Sequence, residues 1–161
     1  MEHFGTGPAT VHGTVHGPGY SGRGGISASC AVGPSLGRDF HVYSVAWDPG
    51  KIAWYVNDEL YHAVTPADLN GKPWVFDHDF FLLVNIAVGG TASVPPGKSV
   101  TFPQTMLIDY IRLYEPAAGL ARRRPPAHHP LAPHDGTRAY SHSARRASGL
   151  RHCGLILGRG W

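Results

Sequence analysis

The sequence has no long apolar run, few charges and almost no cysteine. Cys30 and Cys153 stand far apart; with no CxxC pair and no Cys/His spacing of a zinc site, neither a disulfide framework nor a metal finger is indicated. No stretch reaches the roughly 18 apolar residues that a membrane-spanning helix needs. The first residues lack a basic segment followed by an apolar one, so no signal peptide is read there. Charged residues make up only 16%, and no helical apolar period is sustained along the chain. What abounds is Gly (21) and Pro (14), with 11% aromatic residues. That mixture belongs to short strands joined by many turns.

The formal charge of +3 hides two unlike segments. Residues 1–115 carry six Lys/Arg against ten Asp/Glu, a net of −4; residues 116–161 carry eight Arg against Asp135, a net of +7. The basic balance belongs to the tail, so the nucleic-acid-binding class that a basic chain invites is set aside. In residues 116–161, Arg122-Arg123-Arg124-Pro125-Pro126 and His128-His129-Pro130 sit among Ala, Gly and Ser. Such a segment buries too little apolar surface to offset chain entropy and is expected to be disordered. Its bias is that of GC-rich DNA read out of frame.

Residues 1–115 are dense in strand signals. Thr10 to His16 alternates polar and apolar residues around Val11 and Val15, as a strand with one wet face does. Three aromatic and β-branched runs follow: Phe40–Trp47, Lys51–Val56 and Glu59–Val64. Asp48-Pro49-Gly50 and Asn57-Asp58 separate them, so they read as an antiparallel meander. Phe80–Val88 is apolar apart from Asn85 and reads as a strand covered on both faces. Met106–Tyr114 reads as the last strand. With no helix between them, these strands imply an all-β antiparallel sandwich or barrel.

Four blocks carry a resemblance to a known family. They are Val11-His12-Gly13-Thr14-Val15-His16-Gly17-Pro18-Gly19-Tyr20-Ser21-Gly22, Phe40–Trp47 leading into Lys51–Val56, Phe80–Gly90, and Phe102–Tyr114. In this order they resemble the C-terminal half of glycoside hydrolase family 16, on its laminarinase-like (endo-1,3-β-glucanase) side. The resemblance implies a truncated jelly-roll β-sandwich of the concanavalin/lectin-like kind over residues 1–115. It implies a parent enzyme that is secreted, acts as a monomer and hydrolyses β-1,3 or mixed β-1,3-1,4 glucan with retention, with β-glucan as partner and neither nucleic acid nor membrane involved. No organic cofactor is required. The rival reading is a non-catalytic glucan-binding module on the same sandwich.

Laminarinase-like members carry Glu-x-Asp-x-x-Glu on one strand, with the first Glu as nucleophile and the last as acid/base. Alignment through His12 and His16 places Glu2 on the acid/base position. The nucleophile then falls ahead of Met1, and the chain alone is expected to be inactive. His16 is expected to support Glu2, and His12 to contact substrate. Trp47, Trp54 and Trp74 are candidate platforms for a glucose ring, since a flat indole complements its C–H face; the competing place for each is the core. Asn85 either faces the cleft or bonds neighbouring backbone. The resemblance further implies a structural Ca²⁺ with Asp109 among its oxygen ligands.

Overall fold

In a computed structural model of the chain, residues 1–90 and 95–114 are described, together with the backbone of residues 152–158. The strands are β1 (Glu2–His3), β2 (Thr10–Val15), β3 (Ile26–Ala31), β4 (Phe40–Asp48), β5 (Lys51–Val56), β6 (Glu59–Val64), β7 (Ile111–Tyr114) and β8 (His152–Gly158). Three short 3-10 turns are the only helical elements among the described residues. One sheet has the order β1-β2-β3 and the other β6-β5-β4-β8-β7, all antiparallel. The all-β antiparallel class read from the sequence is the class found.

The meander forms where the turn residues allow it. Asp48 pairs with Lys51, leaving Pro49-Gly50 as a two-residue loop. Val56 pairs with Glu59 across Asn57-Asp58, whose φ angles of 50° and 68° are both left-handed. That is the hairpin geometry whose twist matches the strands, and Asn and Asp tolerate it. Asn57 also ties the turn to β4: its N–H donates to the Val42 carbonyl at 2.8 Å, and its Oδ1 accepts from Val42 N–H at 3.1 Å. Between Trp54 and Tyr55 the β5–β6 register slips, from Trp54↔His62 to Tyr55↔Leu60. Tyr61 is therefore the extra residue of a bulge, re-aimed out of the ladder.

The two sheets meet through alternate residues. On β2, Val11, Gly13 and Val15 are buried while His12 and Thr14 are less so. Val15 joins Tyr20, Ile52, Trp54, Val64 and Leu69 in one core cluster; Val11 joins Leu36, Tyr43 and Val56 in a second. Tyr61 packs against both. Gly13 sits at a close approach, where a Cβ would lie 2.8 Å from the Tyr61 hydroxyl and 2.9 Å from Trp54 Cγ. Only glycine lets β2 lie this near the indole.

Several elements differ from the sequence reading. Ile26–Ala31 is a strand that small residues concealed, since Ser and Ala lack the β-branched signal. Phe80–Val88 joins no strand ladder among the described residues, and Phe81 and Leu83 are each 78% exposed. A run composed for burial on both faces needs a layer on each side, and the described residues supply neither. Of the expected last strand, only Ile111–Tyr114 is laddered. Of the expected tail, only His152–Gly158 is described, as a strand between β4 and β7. The rest of residues 116–161 lies outside the described residues.

Two predictions follow from this packing. Replacing Gly13 with Ala forces a methyl against Trp54 and Tyr61, and chemical denaturation is expected to show a loss of about 1–3 kcal/mol. Gly50→Ala, with nothing within 4 Å of its Cβ, should stay within about 0.5 kcal/mol of the parent. Burial also pushes the Tyr43 hydroxyl from the usual 10.0 up to about 12. It raises Tyr61 as well, with nearby Cys30 and Tyr43 adding to the shift. The unfolded chain releases these protons first, so their contribution is whole below pH 10 and drains as pH climbs toward about 12. Unfolding free energies should therefore fall with rising pH across that window. Tyr43→Phe should flatten the slope.

Candidate active site

The ladder of β1 and β2 sets Glu2 directly opposite His12, and His3 opposite Val11. Opposed residues of an antiparallel pair share a face. Val11, Gly13 and Val15 point into the core, so Glu2 and His12 stand together on the open side. Ser29, opposite His12, and Ser27, opposite Thr14, extend that side onto β3. The Thr14 and Ser27 hydroxyls lie 2.8 Å apart in a hydrogen bond. The Phe4 ring covers one flank of His12 at 5.2 Å between centroids. His3 is occupied otherwise, its Nδ1 bonded to the Thr10 carbonyl at 2.9 Å.

His16 follows β2 by one residue and is exposed. Its ring lies against Gly25, where a Cβ would stand 2.6 Å from His16 Cε1 and 2.8 Å from Thr14 Cγ2. The missing side chain at Gly25 is therefore what admits both groups to the same patch. One carboxylate, two imidazoles and three hydroxyls then share an open polar sheet face. Hydroxyls and imidazoles both donate and accept, which suits a ligand rich in hydroxyl groups. An exposed carboxyl among them can pass a proton to or from a bound atom. Glu2 is the sole Asp or Glu in residues 1–38, so β1–β3 supply a single carboxylate to this face.

The loops beside this face are built tightly. Gly17 and Tyr20 exchange backbone hydrogen bonds of 3.2 and 3.0 Å, with Gly19 at the left-handed φ of 81° that the turn demands. Tyr20 is fully buried and donates its hydroxyl to the Pro73 carbonyl at 2.8 Å. Thr65 N–H and hydroxyl both donate to Asp68 at 2.7 Å, which holds the Asp68 carboxyl below its usual range. That cap starts the 3-10 turn Pro66–Leu69 and drives Leu69 into the core.

The expected aromatic platforms are placed differently. Trp54 is 3% exposed and stacked on His62 at 4.8 Å; it is core, not a sugar platform, because position 54 falls on the inner face of β5. Trp47 and Trp74 are half-buried against the same cluster. Their indole N–H groups are already spent, Trp47 on the Phe76 carbonyl at 2.7 Å and Trp74 on the Pro49 carbonyl at 2.5 Å. Asn85, expected to face the cleft or to bond neighbouring backbone, is exposed. Asp109 is exposed outside any strand, and no group of three His, Cys, Asp or Glu able to hold a metal exists among the described residues. Among the described residues Asp109 therefore stands in no side-chain cluster that would hold a calcium ion. Thr14, Ser27, Ser29 and Gly25 were not singled out from the sequence. The alternation Ile26-Ser27-Ala28-Ser29-Cys30 was the available signal for the two serines.

Comparison with known proteins gives one consistent answer. The model of Glycosyl hydrolases family 16 matches residues 1–112. A beta-glucanase of Rhodothermus marinus is 38% identical over 71% of this chain and 42% of its own length. A beta-1,3-glucan-binding protein of Penaeus monodon is 32% identical over 45% of this chain and 25% of its own. The solved structure of an endo-beta-1,3-glucanase from Pyrococcus furiosus aligns with a TM-score of 0.59 and 42% identity, over 63% of this chain and 40% of that one. The chain thus spans less than half the length of these relatives.

The His16–Gly25 contact is directly testable. In Gly25→Ala the imidazole must move, and its ring proton resonances should shift by several tenths of a ppm, while Gly24→Ala, with open space at its Cβ, should leave them in place. Unchanged His16 signals in Gly25→Ala would refute the contact.

Proposed function

The chain belongs to glycosyl hydrolase family 16, and from that premise we propose that it forms the acid/base half of a β-glucan-hydrolysing site. The observation that carries this reading is the placement of Glu2 opposite His12 on the polar open face, with every apolar neighbour on β2 turned to the core. The substrate would be a β-1,3 or mixed β-1,3-1,4 glucan, lying across β1–β3 with its hydroxyls against Thr14, Ser27, Ser29 and His16. A polymer of this size places the reaction outside the cell.

Retaining hydrolysis needs two carboxyls about 5–5.5 Å apart. In this scheme Glu2 protonates the glycosidic oxygen as the leaving sugar departs. It then takes a proton from the water that releases the covalently held glycosyl group. The attacking carboxylate has to come from outside residues 1–38, which hold no second acid. His12 and His16 would orient Glu2 and sugar hydroxyls through their ring nitrogens. On this reading β1–β3 bind the glucan and supply the acid/base, and cleavage waits on an attacking carboxylate from elsewhere.

The second reading is binding as the whole function. A single carboxylate on the face favours it, and the Penaeus monodon relative is named for binding. A chimera separates the two: residues 1–112 joined to the part of the Rhodothermus marinus beta-glucanase that they do not match. Release of reducing sugar from a soluble β-1,3-glucan is expected, falling by about 10³-fold or more in Glu2→Gln while retention in a glucan affinity gel persists. Equal release with and without the Glu2 carboxyl would end the acid/base assignment. Retention with no release from the chimera at all would favour the binding module.

A further inference from the structure

The aromatic rings around β2 divide by the face of the strand they meet. Trp47, Trp54 and Trp74 lie in or against the core on the inner side. Phe4 belongs to neither core cluster. It is half-buried, and its ring contact among the described residues is with His12, at 5.2 Å between centroids and 57° between planes.

The strand ladder explains where that ring stands. His12 lies between the buried Val11 and Gly13, so its side chain leaves β2 on the outer face. Glu2 is paired opposite it. A ring packed on the His12 imidazole is therefore on the side that carries Glu2, not the side that carries Trp54. The backbone keeps it there. The Phe4 carbonyl accepts from Gly7 N–H at 2.9 Å, and the Gly7 carbonyl from Thr10 N–H at 2.9 Å. The link from β1 to β2 is thus two successive tight turns that begin at Phe4. His3 beside it is fixed by its own bond to the Thr10 carbonyl at 2.9 Å.

An apolar ring on a face of hydroxyls, imidazoles and a carboxylate adds nothing to either core cluster. It supplies what the tryptophans, committed to packing, do not: a flat surface that complements the C–H face of a sugar. We propose that Phe4 contacts the substrate, its ring steadied by His12 and stacked on the glucose unit nearest Glu2. The inference rests on the reading of this face as a glucan site, and not on proton transfer by Glu2. It divides the work of recognition: Phe4 holds the ring plane of the sugar, while Thr14, Ser27, Ser29 and His16 meet its hydroxyls. The competing role, a hydrophobic cap over the β1–β2 turn, would be filled as well by leucine, and that difference makes the two separable.

The test titrates the full chain with a β-1,3-linked glucose tetrasaccharide and follows binding by NMR. Phe4→Leu keeps apolar bulk without a flat ring and should raise Kd about five- to tenfold. Phe4→Tyr keeps the ring and should stay within about twofold of the parent. In the unsubstituted chain the sugar C–H protons held over the ring should move upfield through its ring current, and in Phe4→Leu that movement should vanish. Amide dispersion of residues 10–15 and 26–31 checks that each variant keeps its sheet; if Phe4→Leu does not, the ring-current shift in the unsubstituted chain decides alone. Undiminished affinity in Phe4→Leu, or sugar protons that stay in place on binding, overturns the proposal and leaves the glucan reading standing. A chain that binds none of the tetrasaccharide overturns both.

Discussion

The contact of Gly13 with Trp54 and Tyr61 governs the rest of the molecule. There the two sheets lie close, and glycine leaves room for an indole and a phenol on the facing strands. Because side chains alternate along a strand, fixing Gly13 inward fixes Val11 and Val15 inward and His12 and Thr14 outward. A slip of one residue would drive the His12 imidazole into the indole and turn both valines to water. The ladder then carries the same phase to Glu2 through its pairing with His12. Chemistry on the open face is thus set by packing on the opposite one.

Tyr61 makes that contact because of a defect in the ladder. In a regular β5–β6 pairing position 61 would oppose a β5 residue; the slip between Trp54 and Tyr55 leaves it unpaired and free to reach both clusters. Among the described residues its hydroxyl, with His41 Nε2 and His62 Nε2, is buried without a hydrogen-bond partner. An unsatisfied buried polar atom costs about 1–3 kcal/mol. The bulge therefore exchanges polar satisfaction for aromatic area shared between two clusters. The same burial resists ionisation of Tyr61.

What the sequence discloses depends on whether a residue's neighbours are local. The meander from Phe40 to Val64 is legible because its turns are two-residue loops whose types are written in Pro49-Gly50 and Asn57-Asp58. The pairing of β1 with β2 is legible only through resemblance, since nothing in Met1-Glu2-His3 announces a strand. Trp54 illustrates the limit at the site. An indole suits a sugar face and a core equally, and composition does not choose between them. Positions 52, 54 and 56 do share one strand face, so the apolar Ile52 and Val56 already mark which side Trp54 takes. Ser27 and Ser29 could be read by the same alternation, whereas the vacancy at Gly25 that seats His16 is a tertiary fact with no local trace.

The run from Phe80 shows the converse, a pattern that states a requirement the described residues do not meet. Burying a Phe, Leu or Val side chain contributes about 1.5–3 kcal/mol. Five of them between Phe80 and Val88, still 41–78% exposed, forgo roughly 5–9 kcal/mol, a large share of a domain's net stability. Phe80 ties the start of the run to the core through Trp47 and Phe76, while Phe81 and Leu83 beyond it stay exposed. Stability should therefore be uneven, highest where β2 crosses Trp54 and lowest along residues 80–114. Covering the second region adds stability without altering the first, because the phase that places Glu2 is set by a core already complete.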